Sequence, residues 1–234
     1  MSPEPVESGS TGEEGTLAGE ARAYVSEEEA LTDQGQALTG EERAIVAVQL
    51  GREPRDVSGV AARCPFGCPV VIETRPWLSG GAPNPTLLYL TCPVLVAAVS
   101  RVEAGGGVRA LKAAFASHEL VREVLLEVSR AYQTRRAALE MSDRAGESGP
   151  GVSSDRAASR DLGASGIGGP TDPGKASCLH AYAAALLATR EGWLPSVPGV
   201  DAVWERLGLP TDSVWCEDDR CSERARQSPR AEVT

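Results

Sequence analysis

The stretch PVVIETRPWLSGGAPNPTLLYLTCP, residues 69–93, decides the fold. Pro69 can open a strand but has no N–H to donate inside one, so the first paired segment is 70–74, Val-Val-Ile-Glu-Thr. Gly80, Gly81, Pro83 and Pro85 then mark a loop. A second strand covers 86–91, Thr-Leu-Leu-Tyr-Leu-Thr, and the two segments read as an antiparallel pair. Pro93 closes the stretch where proline is best tolerated, at the first residue of a helix. Two strands alone are marginal in water, so helices must cover a face.

Helical signals lie on both sides of this core. Upstream, Thr39-Gly-Glu-Glu42 reads as a capping box, in which the Thr39 hydroxyl serves a first-turn amide and Glu42 reaches back. Ile45, Val46, Ala47 and Leu50 continue that helix, Gly51 ends it, and 52–55 is a turn. Downstream, the helix begun at Pro93 runs to Ala104 and stops at Gly105, Gly106 and Gly107. Ser117 is the expected cap of a long helix to about Met141, whose Val121, Val124, Leu125, Val128 and Tyr132 recur at three- and four-residue steps. Further helices are expected over 177–190 and 201–207. The fold class is therefore α+β: a small antiparallel strand pair or short sheet covered by several helices. The expected organisation is a disordered acidic tail over 1–38, one globular domain over 39–209 interrupted by a Gly/Ser/Pro-rich flexible linker at 142–174, and a C-terminal tail over 210–234.

Charge is unevenly placed along the 234 residues. Residues 1–43 hold eleven carboxylates and two arginines, and so carry most of the net charge of −10. A balanced remainder excludes a generally basic nucleic-acid binder. No apolar run approaches the roughly 20 residues of a membrane-spanning helix, and the first ten residues resemble no secretory signal. The expectation is a cytoplasmic protein with no nucleic-acid or membrane partner, in which the acidic tail can serve as an arm for a protein partner.

The chemistry-bearing feature is where the six cysteines fall. Cys64 and Cys68 flank a turn, Cys92 ends the second strand, and Cys178 and His180 open a helix. Each lies at an element end, where side chains can converge on an ion. Thiolate and imidazole are the preferred ligands of tetrahedral zinc, so Cys64, Cys68, Cys92, Cys178 and His180 are five candidates for four positions. Buried free thiols are the plainer alternative. A third reading makes Cys178 a nucleophile, its thiolate favoured by the helix N-terminus, with Glu73 as a further candidate member. On a regular helix Cys178 and His180 would diverge by about 200°, so they share a metal only if the helix start is irregular. Cys216 and Cys221, in the acidic tail, are expected to be exposed. The leading expectation is a zinc-stabilised binding or adaptor domain, with an iron–sulfur cluster second as cofactor; the alternative is a cysteine-dependent enzyme or hydrolase using Cys178.

Two other signals are declined. Gly169 to Lys175 imitates a phosphate loop, but Ala176 stands where a magnesium-binding hydroxyl is needed, and two prolines remove amide donors. Arg52, Arg55, Arg63 and Arg75 could form an anion patch, but are read as ordinary solvated arginines.

The strings Gln49-Leu-Gly-Arg-Glu-Pro-Arg55, Arg63-Cys64-Pro65, Pro85-Thr86-Leu87, Tyr89-Leu90-Thr91, Ser100-Arg101 and Cys178-Leu179-His180 recur in order in a known family. Over about residues 44–190 the chain resembles domain-of-unknown-function family five hundred and one, of high-GC Gram-positive bacteria. The resemblance implies a cytoplasmic protein whose gene commonly lies near those of enolase, a septum-formation initiator and an exopolyphosphatase; it implies no established reaction. Many relatives carry another histidine one or two turns after the Cys-Leu-His string, where this chain has Ala183-Ala184-Ala185. Their later Asn-Pro string is replaced here by Leu194-Pro195-Ser196 and Val197-Pro198-Gly199. If that histidine serves an activity, this chain binds metal without turning over a substrate.

Overall fold

In a computed structural model, residues 38–79, 81–146, 165–210 and 218–227 are described. Helix α1 (Gly40–Leu50) begins with both halves of the capping box in place: the Glu42 amide donates to Thr39 Oγ1 (3.2 Å) and the Thr39 amide to Glu42 Oε2 (2.8 Å). It ends at Gly51, which takes the left-handed φ of 68° that favours glycine. Three strands follow, β1 (Val57–Arg63), β2 (Pro69–Thr74) and β3 (Leu88–Leu90), in the order β1-β2-β3 with both pairings antiparallel. The strand pair expected from sequence is β2 and β3. Strand β1 was not expected, because its Gly59, Ala61 and Ala62 are poor strand formers. Its pairing supplies what they lack, at three register irregularities. Gly59 is needed for contact: a Cβ there would lie 2.6 Å from the Trp193 ring.

Helix α2 (Pro93–Ala104) starts at proline and stops at Gly105, as expected. The glycine run then opens a further helix, α3 (Gly107–Ser117), rather than leading into a loop. Gly107 is required there, since a Cβ would meet Leu179 Cδ2 at 2.8 Å and the Val102 carbonyl at 2.9 Å. Ser117 therefore ends a helix instead of capping one, and its hydroxyl donates back to the Ala113 carbonyl (2.8 Å). His118 separates α3 from α4 (Glu119–Gly146). Helix α4 buries Val121, Val124, Leu125, Val128 and Tyr132, the face its periodicity marks.

Residues 165–174 fall within the stretch read as a linker. Here Gly166 and Gly169 exchange backbone hydrogen bonds, Ile167 is buried in the main core, and a 3-10 turn at Pro173–Lys175 is capped by Asp172. Helix α5 (Leu179–Arg190) is buried at every residue from 182 to 189, which makes it the central helix of the core. It packs on the sheet and on α2 and α6 (Val200–Arg206), while α1 packs on β2 through Val46 and Ile72. The tail expected after residue 210 contains helix α7 (Arg220–Gln227), which lies on α1 with Ala225 buried beside Ile45 and Cys68. The architecture is α+β: seven α-helices and a three-stranded antiparallel sheet among the described residues. No described helix is long and apolar enough to cross a membrane. Of the expected acidic tail, 1–38, residues 1–37 lie outside the described residues, as do 147–164 of the expected linker and Cys216, while Leu38 is buried with Val46 and Ile72.

Candidate metal centre

The start of α5 brings Cys178 and His180 together. Cys178 is the N-cap residue, with extended backbone (φ −145°, ψ 122°). That irregular start removes the divergence of a regular helix, and Cys178 Sγ lies 3.9 Å from His180 Nδ1. The third member is Glu103, in the last turn of α2, whose Oε2 is 2.8 Å from His180 Nδ1 and accepts the Leu179 amide at 3.1 Å. The ligand atoms of Glu103, Cys178 and His180 lie within 4.8 Å of one another, the one such group of three or more among the described residues. The His180 and Glu103 side chains are 27% and 30% exposed, so the group faces solvent on one side.

The second ring nitrogen is fixed by its neighbours. The Ser100 hydroxyl donates to the Val96 carbonyl (2.7 Å), so its oxygen is left to accept from His180 Nε2 (3.0 Å). The Val96 carbonyl, 3.3 Å from Nε2, can also only accept. Nε2 therefore carries the proton, and in the neutral ring the Nδ1 lone pair points at Glu103 and Cys178. A carbonyl or hydroxyl that orients a histidine through its other ring nitrogen in this way is the usual support of a metal ligand.

The other expected ligands lie elsewhere, so the five do not form one site. Cys64 and Cys68 close the β1–β2 hairpin, where the Cys64 amide donates to the Cys68 carbonyl (2.9 Å). Burial pushes the Cys64 thiol up, and the neighbouring Cys68 adds to this against the opposing effect of backbone amides. Cys68 Sγ is 3.2 Å from Ser222 Oγ of α7, and Gln49 Nε2 donates to Cys221 Sγ at 3.7 Å. Cys221 is thus partly covered rather than exposed. Cys92 is buried in the main core at the start of α2, without a side-chain capping bond. The shared property of standing at element ends does not bring these residues together, because Cys68 packs with α1 and α7 while Cys178 stands beside α2.

A family model described as "Protein of unknown function (DUF501)" matches residues 60–195. The chain belongs to this family. The DUF501 segment contains Glu103, Cys178 and His180 and ends before α6; α1 and α7 lie outside it. No curated protein and no solved structure matches the chain.

Within the DUF501 segment, Glu73 has a place in the architecture and none in the Glu103-Cys178-His180 group. It is wholly buried on β2 and accepts four bonds: Arg135 Nε (2.8 Å) and Nη2 (2.9 Å), Ser58 Oγ (2.9 Å) and Trp193 Nε1 (2.8 Å). Arg135 stacks over the Trp193 ring at 5.2 Å. Arg136 is also buried, and its Nη2 donates to the Asn84 carbonyl (2.6 Å).

Sequence reasoning did not find Glu103. Its one signal was a carboxylate in the last turn of a helix, where the negative end of the dipole disfavours an anion. A residue kept there against the dipole invites a search for a positive partner.

Proposed function

We propose that this protein binds one zinc ion through Glu103 Oε2, Cys178 Sγ and His180 Nδ1, with a fourth position open to solvent. The observation that carries the reading is the meeting of three electron-pair donors at His180 Nδ1, whose ring proton is held at Nε2 by two acceptors. A proton on Nδ1 would satisfy the 2.8 Å contact with Glu103 as an ion pair, whereas a metal cation in that place would engage Cys178 as well. Zinc bonds of about 2.0–2.3 Å imply ligand–ligand separations of roughly 3.3–3.6 Å. The Sγ–Nδ1 distance of 3.9 Å is close to that span, and Glu103 would withdraw by a few tenths of an ångström from its 2.8 Å contact. Three protein ligands and an open position are the pattern of reactive rather than purely structural zinc sites. When bound, zinc would supply Lewis acidity at that open position.

The cysteine-nucleophile reading is favoured by Cys178 standing at the N-cap of α5. It is weakened by the ring geometry. A general base needs one nitrogen for the thiol and the other for its orienting acid, yet Cys178 and Glu103 both face Nδ1.

Metal analysis of the purified full chain tests the proposal. About one zinc per chain is expected, lost in Cys178→Ser and His180→Ala and weakened in Glu103→Gln, while Cys64→Ser retains it. Cobalt substitution should give a visible thiolate-to-metal band that disappears with Cys178→Ser. Metal-free protein that also fails to take up zinc or cobalt would overturn the reading.

A further inference from the structure

A cleft of about 230 Å³ opens where α1 stops covering the sheet, and it shares no residue with the Glu103-Cys178-His180 group. Leu50 ends α1 at its edge, Ile72, Thr74 and Tyr89 come from the sheet, and Arg52 and Arg55 come from the loop leading into β1. The loop is firmly held. The Pro54 carbonyl accepts Arg43 Nη1 (3.2 Å), and Asp56 takes a left-handed φ of 53°, unusual for a residue other than glycine. That reversal is fixed from two sides, by Arg75 N–H on the Asp56 carbonyl (2.7 Å) and Ser79 N–H on Asp56 Oδ1 (3.0 Å). Backbone strain of this kind, over-determined by its surroundings, clusters at ligand clamps.

The two arginines are exposed, and among the described residues neither has a carboxylate within ion-pair distance. Arg52 donates only to the neighbouring Glu53 carbonyl (3.3 Å). By contrast Arg63, Arg75 and Arg135 are each matched to an acid. Two unmatched guanidiniums beside one cleft offer two positive charges and a set of forked donors suited to phosphate. Leu50, Pro54, Ile72, Leu78 and Tyr89 give the rest of the wall an apolar side, beside the polar Thr74 and Asn84. The volume equals on the order of eight waters at ~30 Å³ each, below that of a drug-sized pocket.

We propose that this cleft binds a small phosphate monoester, with Arg52 and Arg55 on the dianion and the sheet-side apolar wall on the organic group. A dianion matches both charges, whereas a carboxylate would use one. The site is independent of the zinc reading, and either can fail without the other.

Calorimetric titration of the full chain with phenyl phosphate, inorganic phosphate and benzoate tests it. Saturable binding of phenyl phosphate is expected, tighter than that of either other probe. Arg52→Gln and Arg55→Gln should each weaken it about tenfold, the scale of losing one charge-assisted contact. Both side chains are exposed, so the variants should melt like the parent and keep the same metal content. No saturation by phenyl phosphate at millimolar concentration would overturn the proposal. So would affinity unchanged in both arginine variants, or benzoate binding as tightly as phenyl phosphate. Inorganic phosphate binding as tightly as phenyl phosphate would overturn the role given to the apolar wall.

Discussion

Glu73 holds three segments to one carboxylate: Ser58 on β1, Arg135 on α4, and Trp193 after α5. Four donors on its two oxygens satisfy the buried carboxylate and oppose the cost of its desolvation. Removing Arg135 leaves the buried carboxylate with its Ser58 and Trp193 bonds but no counter-charge. Arg135→Met should therefore cost about 3–5 kcal/mol, measured by urea denaturation, because the carboxylate stays behind. Replacing both partners together, Glu73→Leu with Arg135→Met, should cost less than the single Arg135 change; an additive double mutant would show that the pair is not coupled. Read from sequence, Glu73 was a candidate member of a thiol site. Only its buried partners, distant in the chain, show that it is structural, and only proximity to Cys178 and His180 brings Glu103 forward.

Among the elements, α1 was the most legible in the chain. Its start and stop depend on residues within a few positions of each other, so the capping box and Gly51 could be read directly. Thr39→Ala should destabilise the protein by about 1 kcal/mol, seen as a lower urea midpoint. Glu42 adds a pH dependence. Burial acts to raise its pKa, but the Thr39 amide and hydroxyl and the Arg63 guanidinium together hold the carboxyl below its ordinary value. A lowered folded pKa means that the stabilisation is fully present above the unfolded value of about 4.3, and is lost as the pH falls through the folded one. Urea midpoints across this acid range should fall more steeply in the parent than in Glu42→Gln; parallel curves would contradict this assignment. Strand β1 and helix α3 were not legible for the opposite reason. Gly59 and Gly107 look like breakers, and what they serve is close approach by Trp193 and Leu179, more than 70 residues away in the chain.

At the scale of the molecule, α7 covers the outer side of α1 and the Cys64–Cys68 hairpin. Ala225 is 3% exposed and Cys68 4% exposed in that contact. Ala225→Glu would place a charge against Ile45, and α7 should leave rather than bury it. Peptide-level mass spectrometry after iodoacetamide treatment should then show Cys68 alkylated faster than in the parent. Unchanged protection would mean that the hairpin itself, rather than α7, shields the thiol.

The sequence by itself determined the α+β class, the β2–β3 pair, the ends of α1 and α2, and the buried face of α4. These follow from proline and glycine positions, capping residues and hydrophobic periodicity, all interactions over a few residues. Tertiary structure alone decided that Glu103 joins Cys178 and His180, that Glu73 pairs with Arg135, and that the segment after residue 210 returns to α1. These contacts join residues tens to well over a hundred positions apart. Their partners are chosen by the packing of whole helices against the sheet, for which no short spacing in the chain is a record.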